Sequence, residues 1–311
     1  LTFCQSGFDV TGHDINKDIL SSLNQSKAPF EEEGLEELLK SCITSGRFHT
    51  NSSAEESVRN ADVIIVCVAT PLTSGIMPDL SYLEKACQSI SNVSLENKLV
   101  IIESSIPPGT FRGLVLSILE KKSKIGKDFW AAFVPERLAP GTALSEIKTT
   151  PRVIGYADKD SGNLAKSLYE KMVTSQVVST PVEVAEISKL VENTFRDVNV
   201  AFANEVGLIC ENYGIDVAEL IQVCNSHPRV KLLQPGPGVG GPCLPKDPYL
   251  LLNPQGKKQI DSKIIIDSRK INDSMPYHIA ELVLDSIKEQ GKKISESTIL
   301  VLGVSYKANV S

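Results

Sequence analysis

The amino-acid sequence predicts an α/β protein in three parts: a doubly wound parallel sheet over residues 1–180, a helical domain over 181–294, and the opening strand of a second α/β domain over 295–311. Three observations carry this. Continuous apolar runs at 61–68 and 99–103 alternate with helical stretches, as strands buried on both faces of a parallel sheet do. A long stretch over 182–213 contains no proline and stops at Gly214, a C-terminal helix signal. A fresh apolar run then begins at Ser297 and carries a glycine at 303.

With 311 residues the chain exceeds one ordinary core, so more than one domain is expected. Hydrophobic content of 41% and charged content of 23% are those of a soluble globular protein, and no run of 18 apolar residues exists to span a membrane. The N-terminus has no signal-peptide pattern. A net charge of -6 argues against a general nucleic-acid binder but leaves room for local basic sites that hold a small anion. The seven cysteines are odd in number and scattered without a C-x-x-C. That distribution predicts reduced thiols in the cytoplasm, with neither a disulfide framework nor a metal site.

Residues 8–14 read as a strand ending in an acidic residue, with a helix from Asn16 to Asn24. In a dinucleotide-binding βαβ unit, such an acidic residue accepts hydrogen bonds from the adenosine ribose and disfavours a 2′-phosphate, which makes Asp14 a candidate for selecting NAD; a helix N-cap is the other reading. The glycine fingerprint that should precede it is absent from these residues, so the first strand and its loop are expected upstream of Leu1. An acidic helix is expected over 31–40. The strand over 61–68 ends at Thr70-Pro71, and the strand over 99–103 ends at Ser104-Ser105 before a helix over 111–121. Strand carboxyl ends are where α/β sheets bind ligands, so Thr70, Pro71 and Ser105 are cofactor-facing candidates, although hydroxyls there also serve as caps. A third strand over 128–134 leads to Glu136 and Arg137, Val153–Gly155 reads as the closing strand, and a helix follows over 158–171.

In the long helix the apolar residues leave almost no exposed face, which predicts a core element or a dimer interface. Lys189 and Asn193 lie four residues apart on one face of it; a buried lysine there is costly unless it is paired, for instance with Glu186 or Glu192, or functional. Helices are expected over 217–224, 264–272 and 275–289. Between them, residues 235–248 pack Cys243, Lys246 and Asp247 into a backbone otherwise of Gly, Pro, Val and Leu that reads as neither helix nor strand. Glycine permits close approach to a ligand and proline removes slack, so the segment reads as a stiff, ligand-wrapping loop. A lysine three residues on favours the Cys243 thiolate, and Asp247 is placed to handle protons or position water; the alternative is that Cys243 is one more small apolar residue.

With Val134-Pro135-Glu136-Arg137, Lys189-Leu190-Val191-Glu192-Asn193-Thr194, His227-Pro228-Arg229-Val230, the 235–248 loop and Gly303-Val304-Ser305-Tyr306-Lys307 in this order, the chain resembles the UDP-glucose/GDP-mannose dehydrogenase family, in the branch that acts on UDP-N-acetylhexosamines. The resemblance implies an NAD-binding Rossmann-like domain, a helical dimerisation core and a nucleotide-sugar domain of which only the start is expected here. It implies Cys243 as nucleophile, Asp247 as the water-positioning acid, Lys189 and Asn193 as catalytic partners, Glu136 as acid/base and Ser105 as the hydroxyl that holds the catalytic water. Glu136, Arg137, Lys189, Asn193 and Gly240 would line the substrate, and Arg229 would reach the substrate of the partner in a homodimer. Pro140 stands where the UDP-glucose branch carries an acidic residue, and Pro242 stands where the N-acetylhexosamine branch commonly carries His. The implied reaction is a four-electron oxidation of a sugar C6 alcohol, for surface-polysaccharide precursors, with UDP-N-acetyl-D-mannosamine as the first choice of substrate and UDP-N-acetyl-D-glucosamine as the alternative. A non-catalytic dimerisation or regulatory fragment, and a two-electron hydroxyacid dehydrogenase on the same sheet, are the competing readings.

Overall fold

A computed structural model describes residues 1–303 and 305–307. The chain forms two compact units, one of Leu1–Lys189 with Asn253–Lys258 and Lys307, the other of Leu190–Leu252 with Gln259–Tyr306.

The first unit opens with α1 (Thr2–Gln5), β1 (Val10–Gly12), α2 (Lys17–Asn24), α3 (Leu35–Thr44) and β2 (Phe48–Thr50), then α4 (Ala54–Asn60), β3 (Val63–Val66), α5 (Ser81–Ser91) and β4 (Leu99–Ile102). A π-helical segment, Phe111–Leu116, continues into α6 (Ser117–Leu119), followed by β5 (Trp130–Phe133), α7 (Ala143–Thr149), β6 (Arg152–Tyr156), α8 (Lys159–Tyr169) and β7 (Val177–Pro181). Strands β1 and β2 pair in parallel, and a five-stranded sheet runs in the order β3-β4-β5-β6-β7. The sheet is parallel except between β5 and β6, which are antiparallel. The closing strand is therefore β7, and the strand expected to close the sheet, β6, lies inside it.

The continuous apolar run of β4 has the predicted cause. All four residues are buried, with Val100 and Ile102 in one cluster beside Leu83, Phe111 and Phe129, and Leu99 and Ile101 in another beside Ile154 and Tyr169. Each such aliphatic side chain contributes about 2 kcal/mol by leaving water. The acidic helix starts later than expected: Gly34, at φ +78°, blocks the helix until Leu35, and Glu32 instead accepts the Gly141 and Ala143 N–H groups at 2.7 Å each.

Helix α9 (Val182–Tyr213) has the predicted bounds and is followed by Gly214 at φ +61°. Its first turn lies on the sheet of the first unit, because Gly155 in β6 has no side chain; a Cβ there would come within 2.6 Å of the Ala185 Cβ. The second unit continues with α10 (Val217–Asn225), α11 (Asp247–Leu252) and α12 (Lys263–Glu289). The two helices expected on either side of residue 273 are one, with Pro276 inside it. Pro276 has no N–H for the Asn272 carbonyl, and that oxygen instead lies 2.8 Å from where a Cβ on Gly238 would sit.

The run over 297–307 was expected to be a strand opening a second α/β domain. Among the described residues it forms no strand; only a short 3-10 turn, Ile294–Glu296, precedes it. Ile299, Leu300, Val301 and Leu302 are exposed and no strand among the described residues pairs with them. Val304 and residues 308–311 lie outside the described residues. Among the described residues no helix is long and apolar enough to cross a membrane.

Candidate active site

Two groups of predicted residues stand out, one in each unit. In the first unit they gather at strand carboxyl ends. Asp14 follows β1, and its Oδ1 accepts the Asn16 N–H at 2.8 Å. The N-cap of α2 is Asn16, which accepts from the Asp18 N–H, so the Asp14 carboxylate is not consumed by the helix. After β3, Thr70 is buried and donates to the Ser105 carbonyl at 2.6 Å, while Ser104 after β4 donates to the Val68 carbonyl at 2.6 Å. These cross-links fix the two strand ends against each other and leave Cys67 and Ala69 exposed beside a half-buried Pro71. An acidic group at the end of β1 and two braced, open strand ends fit a bound dinucleotide.

Glu136 follows β5 and its carboxylate turns back to accept the Leu138 N–H, while Arg137 donates to the Pro151 carbonyl at 2.9 Å. Glu186, on the first turns of α9, accepts the N–H groups of Gly109 and Phe111 at 2.7 Å each, which fastens the loop that carries Ser105. Burial raises the Glu186 carboxyl to about 7 despite those two donors. Lys189, one turn on, is 7% exposed, and the Glu186 carboxylate that could have paired with it is turned instead to the Gly109 and Phe111 N–H groups. A buried lysine on a helix face is a functional candidate.

In the second unit the loop turns at Cys243. The Cys243 carbonyl accepts the N–H groups of Lys246 at 3.1 Å and Asp247 at 2.9 Å, which begins α11. The helix therefore takes in the last two residues of the expected loop, with Pro248 in its first turn, where a missing N–H costs nothing. Asp247 is fully buried; its Oδ2 accepts the Asn193 amide at 2.6 Å and its Oδ1 lies 3.8 Å from the Lys246 Nζ. Asn193 thus orients Asp247. Cys243 is half-buried, and none of the seven cysteines is in a disulfide. Gly240 and Gly241 lie against Tyr306, whose ring and Cβ occupy the space that side chains there would need. Arg229 is exposed.

Sequence reasoning missed three groups. Glu103, at the end of β4, accepts hydrogen bonds from the Tyr169 hydroxyl and, at 3.4 Å, from the Cys67 thiol. Burial, then the charge of Glu103, raises the Tyr169 hydroxyl, so it stays protonated. The position of Glu103 directly before Ser104 was a readable signal. Glu186 and the buried polar residues Asp197 and Asn204 were legible only as helix composition.

Residues 1–173 match the NAD binding domain of the UDP-glucose/GDP-mannose dehydrogenase family, and residues 183–274 match that family's central domain. The chain is 41% identical over 309 residues to a UDP-N-acetyl-D-mannosamine dehydrogenase from Pyrococcus horikoshii, covering 99% of this chain and 72% of that protein. It is 35% identical to an NDP-N-acetyl-D-galactosaminuronic acid dehydrogenase from Ralstonia solanacearum, over 97% of this chain and 71% of that protein. The solved UDP-D-ManNAc dehydrogenase of Pyrococcus horikoshii superposes with a TM-score of 0.89 at 40% identity, over 95% of this chain and 70% of that one.

Proposed function

From the premise that this chain belongs to the UDP-glucose/GDP-mannose dehydrogenase family and is an NAD-dependent nucleotide-sugar dehydrogenase, we propose that it oxidises the C6 alcohol of UDP-N-acetyl-D-mannosamine to the uronic acid through a covalent Cys243 intermediate. Two NAD molecules, bound in turn, would each accept one of the two hydrides that this four-electron oxidation releases. Asp14 holds the adenosine ribose, and Thr70, Pro71 and Ser105 face the cofactor at the strand ends. Lys189 and Asp247, through a water held by Ser105, take the alcohol proton as the first hydride leaves. The Cys243 sulfur then adds to the C6 aldehyde to give a thiohemiacetal, and Lys189 balances charge on its oxygen. Loss of the second hydride gives a thioester. Water activated by Asp247 or Glu136 supplies the second carboxylate oxygen and returns the thiol. Covalent capture keeps the aldehyde in place until the second hydride transfer.

The observation that carries this reading is the single turn in which the Cys243 carbonyl binds the Lys246 and Asp247 N–H groups while Asn193 holds the Asp247 carboxylate. A hydroxyacid dehydrogenase needs no thiol there. The choice of sugar is supported by the name of the Pyrococcus relative, and Glu136, Arg137, Lys189, Asn193, Arg229 and Gly240 are the proposed substrate contacts. The test is to incubate the protein with NAD and, separately, UDP-N-acetyl-D-mannosamine and UDP-N-acetyl-D-glucosamine, and to identify the product by mass spectrometry. A uronic acid from the mannosamine sugar first supports the reading; no uronic acid from either sugar refutes it.

The active form is proposed to be a homodimer in the cytoplasm. Helix α9 presents Val191, Phe195, Phe202 and Ile209 to solvent, with Phe195 67% exposed, while its buried side carries polar groups. An apolar face of that size calls for a partner, and a second copy supplies the same face by symmetry.

A further inference from the structure

A stripe of polar residues runs along the buried side of α9 in the second unit, flanked by the buried Leu190, Ala201 and Ala203. Asn193, Asp197 and Asn204 fall within about 40° of one another on a helical wheel of 3.6 residues per turn. Asp197 and Asn204 are fully buried. Asn193 holds the far end of the 235–248 loop through Asp247. Asn204 holds the near end: its Oδ1 accepts the Gly236 N–H at 2.9 Å.

Asn204 is itself held. Its Nδ2 donates to the Asn272 Oδ1 at 2.9 Å, and the Asn272 amide donates to both the carbonyl and the Oδ1 of Asp197 at 3.0 Å each. Arg269 donates to the same Asp197 oxygen at 2.5 Å and to Asp273. The amide orientations in this chain are mutually determined, because each oxygen and each NH2 has one partner that suits it. Backbone packing repeats the same attachment. Pro235 lies on Gly207 of α9, and Gly238, at φ +109°, lies on the Asn272 carbonyl that Pro276 leaves without its helical donor.

A purely structural role would be met by apolar side chains, which fill a helix interface without the desolvation cost of four buried polar groups. What the polar chain adds is a fixed position for one loop N–H, seven residues before the thiol. We propose that Asn204 and Asn272 are positioning residues for Cys243: they set the seat of the 235–248 loop on α9 and α12, while Asn193 and Asp247 set its other end. This rests on the reading of Cys243 as nucleophile. It makes the catalytic loop a strap fastened at two points on one helix, eleven residues and so about 16 Å apart along its axis.

The test compares Asn204→Ala and Gly238→Ala with Asn199→Ala, a change on the same helix at a residue whose amide donates to the Phe195 carbonyl of its own helix. Three quantities are measured on each purified protein: kcat and KM for NAD and sugar, the melting temperature, and the rate at which iodoacetamide alkylates Cys243, read by mass on its tryptic peptide. Asn204→Ala is expected to lower kcat at least about tenfold, as loss of alignment at a reacting atom does. Its KM for NAD should stay within about twofold, and Cys243 alkylation should change at least about threefold. Gly238→Ala, strained at its φ and pressed on the Asn272 carbonyl, is expected to do the same and keeps the test decisive should Asn204→Ala fail to fold. Asn199→Ala should move none of these. The proposal is overturned if the folded Asn204→Ala or Gly238→Ala protein matches Asn199→Ala in both kcat and alkylation rate, or if it loses melting temperature alone. Alkylation reports loop position whether or not Cys243 is the nucleophile, so a failure of the covalent mechanism shows instead as normal turnover by Cys243→Ser.

Discussion

The Asn193 amide donates to the Asp247 carboxylate at 2.6 Å, and Asp247 is fully buried. A carboxylate removed from water depends on such a donor, so Asn193→Leu should cost about 2 kcal/mol of stability. It should also lower kcat more than KM, because the acid that positions water is no longer oriented. Urea denaturation with steady-state kinetics checks both; a variant that loses stability and keeps kcat would remove Asp247 from the chemistry.

Glu186 gives the protein a pH dependence of defined sign. Its carboxyl is raised by burial from 4.5 to about 7, so the folded state holds a proton that the unfolded state has released. Its contribution is fully present below pH 4.5 and is lost as pH rises through about 7, worth on the order of 3 kcal/mol across that window. Melting temperature measured from pH 5 to 8 should fall with pH in the wild type, after other carboxylates are accounted for, and Glu186→Gln should flatten the slope. An unchanged slope in the variant would show that Glu186 does not titrate there.

Asp14 should set cofactor choice. A carboxylate at the end of β1 repels a 2′-phosphate, so the protein should prefer NAD, and Asp14→Ala should narrow the NAD-to-NADP ratio of kcat/KM. Equal use of both cofactors by the wild type contradicts this.

The apolar side of α9 should join two copies. Phe195→Asp with Phe202→Asp, both at exposed positions, should give a folded monomer by light scattering where the wild type gives a dimer. A wild-type monomer at micromolar concentration would end the argument and the proposed reach of Arg229 to a partner's substrate.

Much of the frame was legible because local rules governed it. Helix α9 has no proline between Val182 and Gly214, and β4 is apolar on both faces because both faces are covered. What escaped depends on tertiary contact. Strand β2 is three residues, too short for a period to show, and the antiparallel step at β6 leaves no mark on an apolar run. The helices expected over 264–272 and 275–289 are one, because the turns around Pro276 hold and the loosened carbonyl faces Gly238. The run after Ser297 has strand composition without a neighbour to pair with among the described residues. Cys243, Lys189 and Asp247 were legible as candidates because their residue types are unusual in their settings. Asn204 and Asn272 were not, since an amide in a helix reads as a solvent-facing residue until its burial is known.

The covalent role of Cys243 is tested most directly by the number of NADH formed per sugar consumed, measured by absorbance and chromatography on wild type and Cys243→Ser with NAD and UDP-N-acetyl-D-mannosamine. The wild type should give a ratio of about two, because each carboxylate requires two hydride transfers. Cys243→Ser should lose normal uronic acid production, since an alkoxide is harder to form and to expel than a thiolate at neutral pH. A wild-type ratio of about one, or unchanged turnover in Cys243→Ser, would contradict the mechanism.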